Sequence, residues 1–216
     1  MKRRLLIDGD IIAYKASTMA EHSIKWEDST VWTLHADENH GKYLALSEIE
    51  DLKENLKGEI ASKTATLICL DGVDRIMNRK VKNIFCLVRP PGHHALNTGR
   101  IEGFCFYNHI AITAKYIQIK YKITKILIVD WDYHHGNSTE HFFYTDPSVL
   151  FFSTHDQFAY PGTGNPSRIG SCDGIGFNIN VHLPCGTDDE LIIEKFNKIL
   201  LPKVEQFKPN MVFISA

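Results

Sequence analysis

The sequence predicts an α/β protein built on a parallel sheet, and three observations carry that reading. Short continuous apolar runs, "NIFCLV" (83–88), "KILIVD" (125–130) and "MVFIS" (211–215), have the composition of strands buried on both faces. Segments with helical spacing of apolar residues lie between such runs, which is the pattern of parallel strands joined by crossover helices. Polar clusters follow several runs directly, and an open parallel sheet binds its ligands just beyond the carboxyl ends of its strands.

The elements follow in order. "RLLID" (4–8) reads as a strand. Ser47 and Glu50 have the spacing of a capping box, Ile49, Leu52 and Leu56 then share one face, and Gly58 reads as the stop. Residues 60–79 continue in a mostly helical pattern, with Ala61, Ala65, Ile68, Ile76 and Met77. Strand 83–88 is followed by the helix "HIAITAKYIQIKY", strand 125–130, and the runs "SVLFFS" (148–153) and "GFNINVHL" (176–183). Thr187 and Glu190 make a second capping box before "LIIEKFNKILL", and "MVFIS" closes the chain.

Bulk properties narrow the function classes. The 216 residues suffice for one domain with a sizeable core, and 44% apolar with 23% charged residues is ordinary for a globular protein. A net charge of −2 gives no electrostatic reason to expect nucleic acid or a membrane as partner. No long apolar run or leader pattern is present, so the expected compartment is the cytoplasm, or the nucleus in a eukaryote. The five cysteines form no CxxC pair, which suits reduced core thiols better than a disulfide framework.

The chemistry concentrates in "DWDYHHGNST". Asp130, Asp132 and His134 recur at every second residue where a buried strand ends, and in extended backbone they share a face. Such groups repel or desolvate one another unless a cation sits among them. Asp132 and His134 are the best metal-ligand pair, and zinc accepts both oxygen and imidazole nitrogen. His93 and His94 follow a Pro-Pro-Gly turn and suit general acid and base roles, with Asp130 and Asn137 placed to orient them. His135, Ser153 and His155 are delivered to the same edge. A DxDxH run alone is also compatible with a loop and a helix cap, and a His-His pair alone with surface decoration. Their meeting on neighbouring strand ends is what points to a site. The glycine-rich "YPGTGNPSRIGSCDGIG" lacks the spacing of a phosphate cradle.

Taken together, "LVRPPGHHA", "GFCFYNHIAI", "ILIVDWDYHHGNSTEHFF", "VLFFSTHD" and "YPGTG" resemble the histone deacetylase family, with the flavour of its class II and acetylpolyamine amidohydrolase branch. The resemblance covers residues 60–216. It implies an arginase/deacetylase-like α/β fold and zinc-dependent hydrolysis, with an acetylated lysine peptide or an acetylated polyamine as partner. It implies catalytic roles for His93 and His94, zinc ligation by Asp132 and His134, and support from Asp130 behind His93 and Asn137 behind His94. Gly103 and Phe104 would line an acyl-lysine tunnel opposite Tyr160. Asp130 and Ser153, with backbone carbonyls of Asp132, His134 and Thr154, would hold a structural K+ or Na+. His109 and Ser138 stand where the family usually has Asn and Gly, at positions without chemistry.

Two departures bear on function. The family continues past its "MVFIS"-like strand into a third zinc ligand, an aspartate, and later a Gly-Gly-Tyr segment whose tyrosine polarises the carbonyl. The sequence closes at "MVFISA" with neither, so the expectation is a domain incomplete at its C-terminus with doubtful turnover. The opening "RRLLIDGDIIAYKAS" and "STVWTLHAD" resemble the start of phage-type 5′ nucleases, in which Asp8, with Asp10, would bind a divalent metal. The expected division is therefore 1–58, a segment of separate origin, and 59–216, the deacetylase-like domain. Rival readings are an acyl-lysine-binding pseudoenzyme, a phage-like nuclease fragment, and a ureohydrolase-type two-manganese site.

Overall fold

Four strands form one parallel sheet in the order β5-β4-β3-β6: β3 Ile126–Asp130, β4 Val149–Asp156, β5 Asn178–Leu183 and β6 Met211–Ser215. The computed structural model describes residues 21–25, 31–35 and 38–216. The chain divides into two units, Met1–Gly58 and Glu59–Ala216. In the first, β1 (Glu21–Lys25) and β2 (Val31–His35) pair antiparallel. The expected strand 4–8 and the candidate metal ligands Asp8 and Asp10 lie outside the described residues.

The central strand β3 is buried at every position. Ile126 and Ile128 enter a core with Val73, Ala114, Ile117, Phe143, Val149 and Phe151. Leu127 and Val129 face the opposite core with Leu150, Phe152, Val181 and Leu200. Alternation along one strand thus feeds two hydrophobic layers, as a sheet covered on both faces requires. The helices are α1 (Glu38–Met77), α2 (His109–Tyr121), α3 (Asn137–Phe143), α4 (Asp189–Lys195) and α5 (Leu201–Phe207), the last two joined through the π turn Phe196–Leu200. Among the described residues no helix is long and apolar enough to cross a membrane.

Three local expectations need correction. Ser47 and Gly58 do not bound a short helix, because α1 runs through both without a break. A mid-helix glycine costs only about 1 kcal/mol, and a continuous helix recovers that through backbone bonds on both sides. Helix α1 ends instead at Met77, and just beyond it Arg79, with φ of 57°, lets Lys80 N–H return to the Arg75 carbonyl. At the second box, Asp188 rather than Thr187 caps α4, accepting from Leu191 N at 2.9 Å, while Thr187 donates to the Pro184 carbonyl.

The third correction is larger. Segment 83–88 forms no strand or helix and belongs to no sheet, and Phe85 and Leu87 are 85% and 84% exposed. The run pairs with neither outer strand of the sheet, β5 or β6, and instead places Ile84 and Cys86 against α1 at Gly72. Apolar composition reports a preference for burial; it does not supply a neighbour with open backbone groups.

Candidate active site

Strand β3 ends at Asp130, which is fully buried and registers with Ser153 on β4 and Ser215 on β6. The chain then leaves extended geometry. Asp132 Oδ1 accepts the His134 backbone N–H at 2.7 Å, closing a turn that its own side chain builds. Asp132 and His134 are therefore brought together by a turn, where strand alternation was expected to do it. The same turn leaves Trp131 and Tyr133 largely exposed beside the site.

The turn 90–92 delivers the two histidines. Gly92 is packed so closely that a Cβ would lie 2.7 Å from the Tyr107 carbonyl oxygen and 2.9 Å from the His109 ring. His93 Nδ1 lies 3.0 Å from Asp130 Oδ2, and a carboxylate oxygen accepts, so Nδ1 carries the proton. Its Nε2 faces Asp132 Oδ1 at 3.7 Å. His94 Nδ1 donates to Asn137 Oδ1 at 2.7 Å, which leaves the Nε2 lone pair open. The two rings lie 4.0 Å apart between centroids, and the His94 ring lies 6.0 Å from His134. Gly136 gives Asp130 its room, since a Cβ there would collide with Oδ2.

Electrostatics separate the pair. Burial alone would lower the pKa of His93, but the hydrogen bond and charge of Asp130 outweigh it and raise the value. Burial and the neighbouring His93 push His94 down to about 4, against the opposing bond from Asn137. At neutral pH His94 is an uncharged imidazole with a free nitrogen. His93 holds a proton more firmly. Groups whose environments push their pKa values apart suit paired base and acid roles.

The expected tunnel residues also meet at this edge. Tyr160 stacks edge-on to His94 at 5.0 Å. Gly103 takes φ +53° directly over the His94 ring, and Phe104 is 81% exposed at the rim. Ser153 and Thr154 are buried at the carboxyl end of β4, with Ser153 Oγ 3.0 Å from His155 Nδ1. His135 and His155 are not at the rim. Both are buried, stacked at 4.6 Å beneath the 160–164 loop, where His135 Nδ1 meets Thr163 Oγ1 at 2.8 Å and His155 Nε2 donates to the Gly164 carbonyl at 3.1 Å.

Whether this set fits zinc can be judged from the donors. Asp132 Oδ1 and His134 Nδ1 are 3.1 Å apart. Two ligands of a tetrahedral zinc with bonds of about 2.0–2.1 Å lie about 3.3 Å apart, so the pair matches one edge of the coordination polyhedron. Among the described residues no third acidic, imidazole or thiol group converges with them. The donors fit the ion, and they are two.

Two residues that the sequence reading left without a role shape the site from behind. Cys105 is fully buried, and its Sγ lies 3.5 Å from His94 N and 3.3 Å from the Gly103 carbonyl. His109 donates from Nε2 to the Pro90 carbonyl at 2.9 Å, while Nδ1 sits 2.9 Å from Thr66 Oγ1. Burial lowers its pKa, so it stays neutral and bridges α1 to the histidine-bearing turn. Asparagine is too short to span both partners. Replacing His109 with alanine is expected to cost about 2–4 kcal/mol, from a buried carbonyl left unpaired and a ring-sized void. Urea denaturation of His109→Ala measures it; a loss below about 1 kcal/mol would show the bridge to be idle.

Comparison with known proteins gives concordant findings. A family model described as the histone deacetylase domain matches residues 22–216, beginning well ahead of the first motif. The chain is 42% identical over 163 residues to human histone deacetylase 9, a match covering 72% of this chain and 16% of that protein. It is 43% identical over 141 residues to a probable deacetylase of Archaeoglobus fulgidus, covering 65% and 39% respectively. It is 39% identical over 176 residues to human histone deacetylase 7, covering 78% and 18%. The matched region spans well under half the length of each of these relatives.

Proposed function

Because this chain belongs to the histone deacetylase family, we propose that it carries the proton-transfer half of a zinc-dependent site that removes acetyl groups from acetylated lysine or acetylated amines. One observation carries the reading: two imidazoles with pKa values driven apart stand beside the Asp132–His134 donor edge. Asp132 and His134 would hold the ion, which when bound polarises a carbonyl and makes water more acidic. His94 Nε2 is the base that takes the proton of attacking water, because Asn137 fixes its tautomer and its low pKa keeps it neutral. His93, held by Asp130, keeps a proton available for the departing amine. Gly103, Phe104 and Tyr160 admit a narrow, extended side chain and shield it from water. Asp130 and Ser153, with the carbonyls of Asp132, His134 and Thr154, are proposed to hold K+ or Na+ beneath the site.

The test is acetate release from an acetyl-lysine peptide and from an acetylated polyamine, with zinc supplied. With two protein donors the 216-residue chain is expected to bind zinc only weakly and to turn over slowly. Any turnover should vanish with chelator and in His94→Ala. Fast turnover that survives His94→Ala would overturn the roles assigned to the two histidines. A second reading, acyl-lysine binding without hydrolysis, is favoured by the two-donor set; it predicts peptide binding with no acetate released.

A further inference from the structure

Helix α1 and segment 83–88 meet at a pair of thiols. Gly72 opens a notch in the helix surface: a Cβ there would lie 3.1 Å from Cys86 Sγ and 3.3 Å from Ile84 Cγ2. Cys69 lies one turn earlier, on the same face of the helix. Its thiol is close enough to Cys86 for that neighbour to influence its ionisation. Both cysteines are half-buried and both are free.

The surroundings make this contact consequential. Segment 83–88 has no ladder bonds, and Phe85 and Leu87 point to solvent. It is held by its inward side chains, Ile84 and Cys86, seated at the Gly72 notch. It leads directly into the turn that presents His93 and His94.

We propose that Cys69 and Cys86 are an oxidisable pair, and that closing their disulfide staples segment 83–88 to helix α1. The oxidant is a low-molecular-weight disulfide of the glutathione type. Cys86, as thiolate, attacks one sulfur of the oxidant, forms a mixed disulfide and expels one thiolate. Cys69 then gives its proton to solvent, attacks the Cys86 sulfur and expels the second. Two protein thiols are oxidised and one oxidant disulfide is reduced to two thiols. Cys86 lies on the segment without ladder bonds and is the thiol placed to attack first, while burial and the adjacent thiol raise the Cys69 pKa to about 12, which slows ring closure.

The proposal stands apart from the deacetylase reading, and its test needs no turnover. The full chain is incubated in oxidised glutathione, quenched with N-ethylmaleimide, digested with trypsin and examined by mass spectrometry. The expected product joins peptide 64–75, which holds Cys69, to peptide 83–100, which holds Cys86. Its appearance should remove both maleimide labels together, raise the melting temperature and slow proteolysis at Arg79, Lys80 and Lys82. Dithiothreitol should reverse all three changes. Cys69→Ser should stop at a glutathione adduct on Cys86, with no change in melting temperature. Full maleimide labelling of both cysteines after oxidation would overturn the proposal, as would pairing of either with Cys105, Cys172 or Cys185.

Discussion

Glu140→Ala should destabilise the fold by about 3–5 kcal/mol, the range for removing one partner of a buried charged network. Glu140 sits on α3 with its side chain almost wholly buried. Oε1 accepts from Arg168 Nε at 2.6 Å, and Oε2 accepts from Asn178 Nδ2 at 2.9 Å and Asn180 Nδ2 at 2.6 Å. His135 Nε2 stands 3.4 Å from Oε2, outside hydrogen-bond geometry. Removing the carboxylate takes the charged acceptor from both buried amides and leaves them only the Arg168 carbonyl, 2.5 Å from Asn178 Nδ2 and 3.5 Å from Asn180 Nδ2. Arg168, half exposed and stacked over Tyr144, can turn to water; the asparagines cannot. Burial pushes the Glu140 pKa up, but His135, Asn180, Arg168 and Asn178 together hold it at about 2. The folded value is depressed, so this stability is fully present above about pH 4.5, the ordinary value, and is lost as pH falls toward 2. Urea titrations between about pH 7 and pH 2 should therefore show a steep acid limb in the native protein and a flatter one in Glu140→Ala. A cost below about 1 kcal/mol at neutral pH would mean the network contributes little. Glu140→Gln, which keeps the shape, should cost less than the alanine.

Gly103→Ala and Gly99→Ala should differ sharply, although both glycines have positive φ, +53° and +74°. A Cβ at Gly99 meets nothing within 4 Å, so its substitution carries only left-handed backbone strain, about 1–2 kcal/mol. At Gly103 the added methyl would strike the His94 Cδ2 and lie 2.8 Å from Cγ. His94 cannot retreat freely, since Asn137 holds its Nδ1 and Cys105 lies against its backbone nitrogen. Overpacking of this kind adds about 1–3 kcal/mol, so Gly103→Ala should cost about 2–5 kcal/mol in all. Its structure should show either the 102–105 loop lifted or the His94–Asn137 bond broken. Equal costs at the two positions would mean that the loop over His94 is loose, and the tunnel wall proposed there would lose its basis.

Much of this molecule is legible in its chain. The runs 125–130, 148–153 and 211–215 announce strands because continuous apolar residues with β-branched and aromatic side chains have few other uses, and 176–183 does so by alternating apolar and polar residues. Asp130, Asp132, His134, His93 and His94 stand out because several ionisable groups beside buried strands need a shared reason to be there. That signal is local: each cluster spans a handful of residues and depends on composition.

What tertiary structure decided are matters of partnership. Segment 83–88 has the composition of a strand and no sheet neighbour, since its side chains Ile84 and Cys86 are engaged by helix α1 at Gly72. Gly58 has the character of a helix stop, but the helix continues because the energy of one glycine is small beside that of an unbroken backbone ladder. His109 reads as an incidental substitution until the Pro90 carbonyl and Thr66 are found on either side of it. Nothing in the local sequence singles out Glu140, because its partners lie 28 to 40 positions away along the chain. Strand and helix preferences arise from each residue's own backbone and nearest neighbours, so sequence determines them. Desolvation and hydrogen-bond satisfaction depend on groups that only folding brings within about 3 Å of one another, and they alone decide which polar residues become part of the machinery.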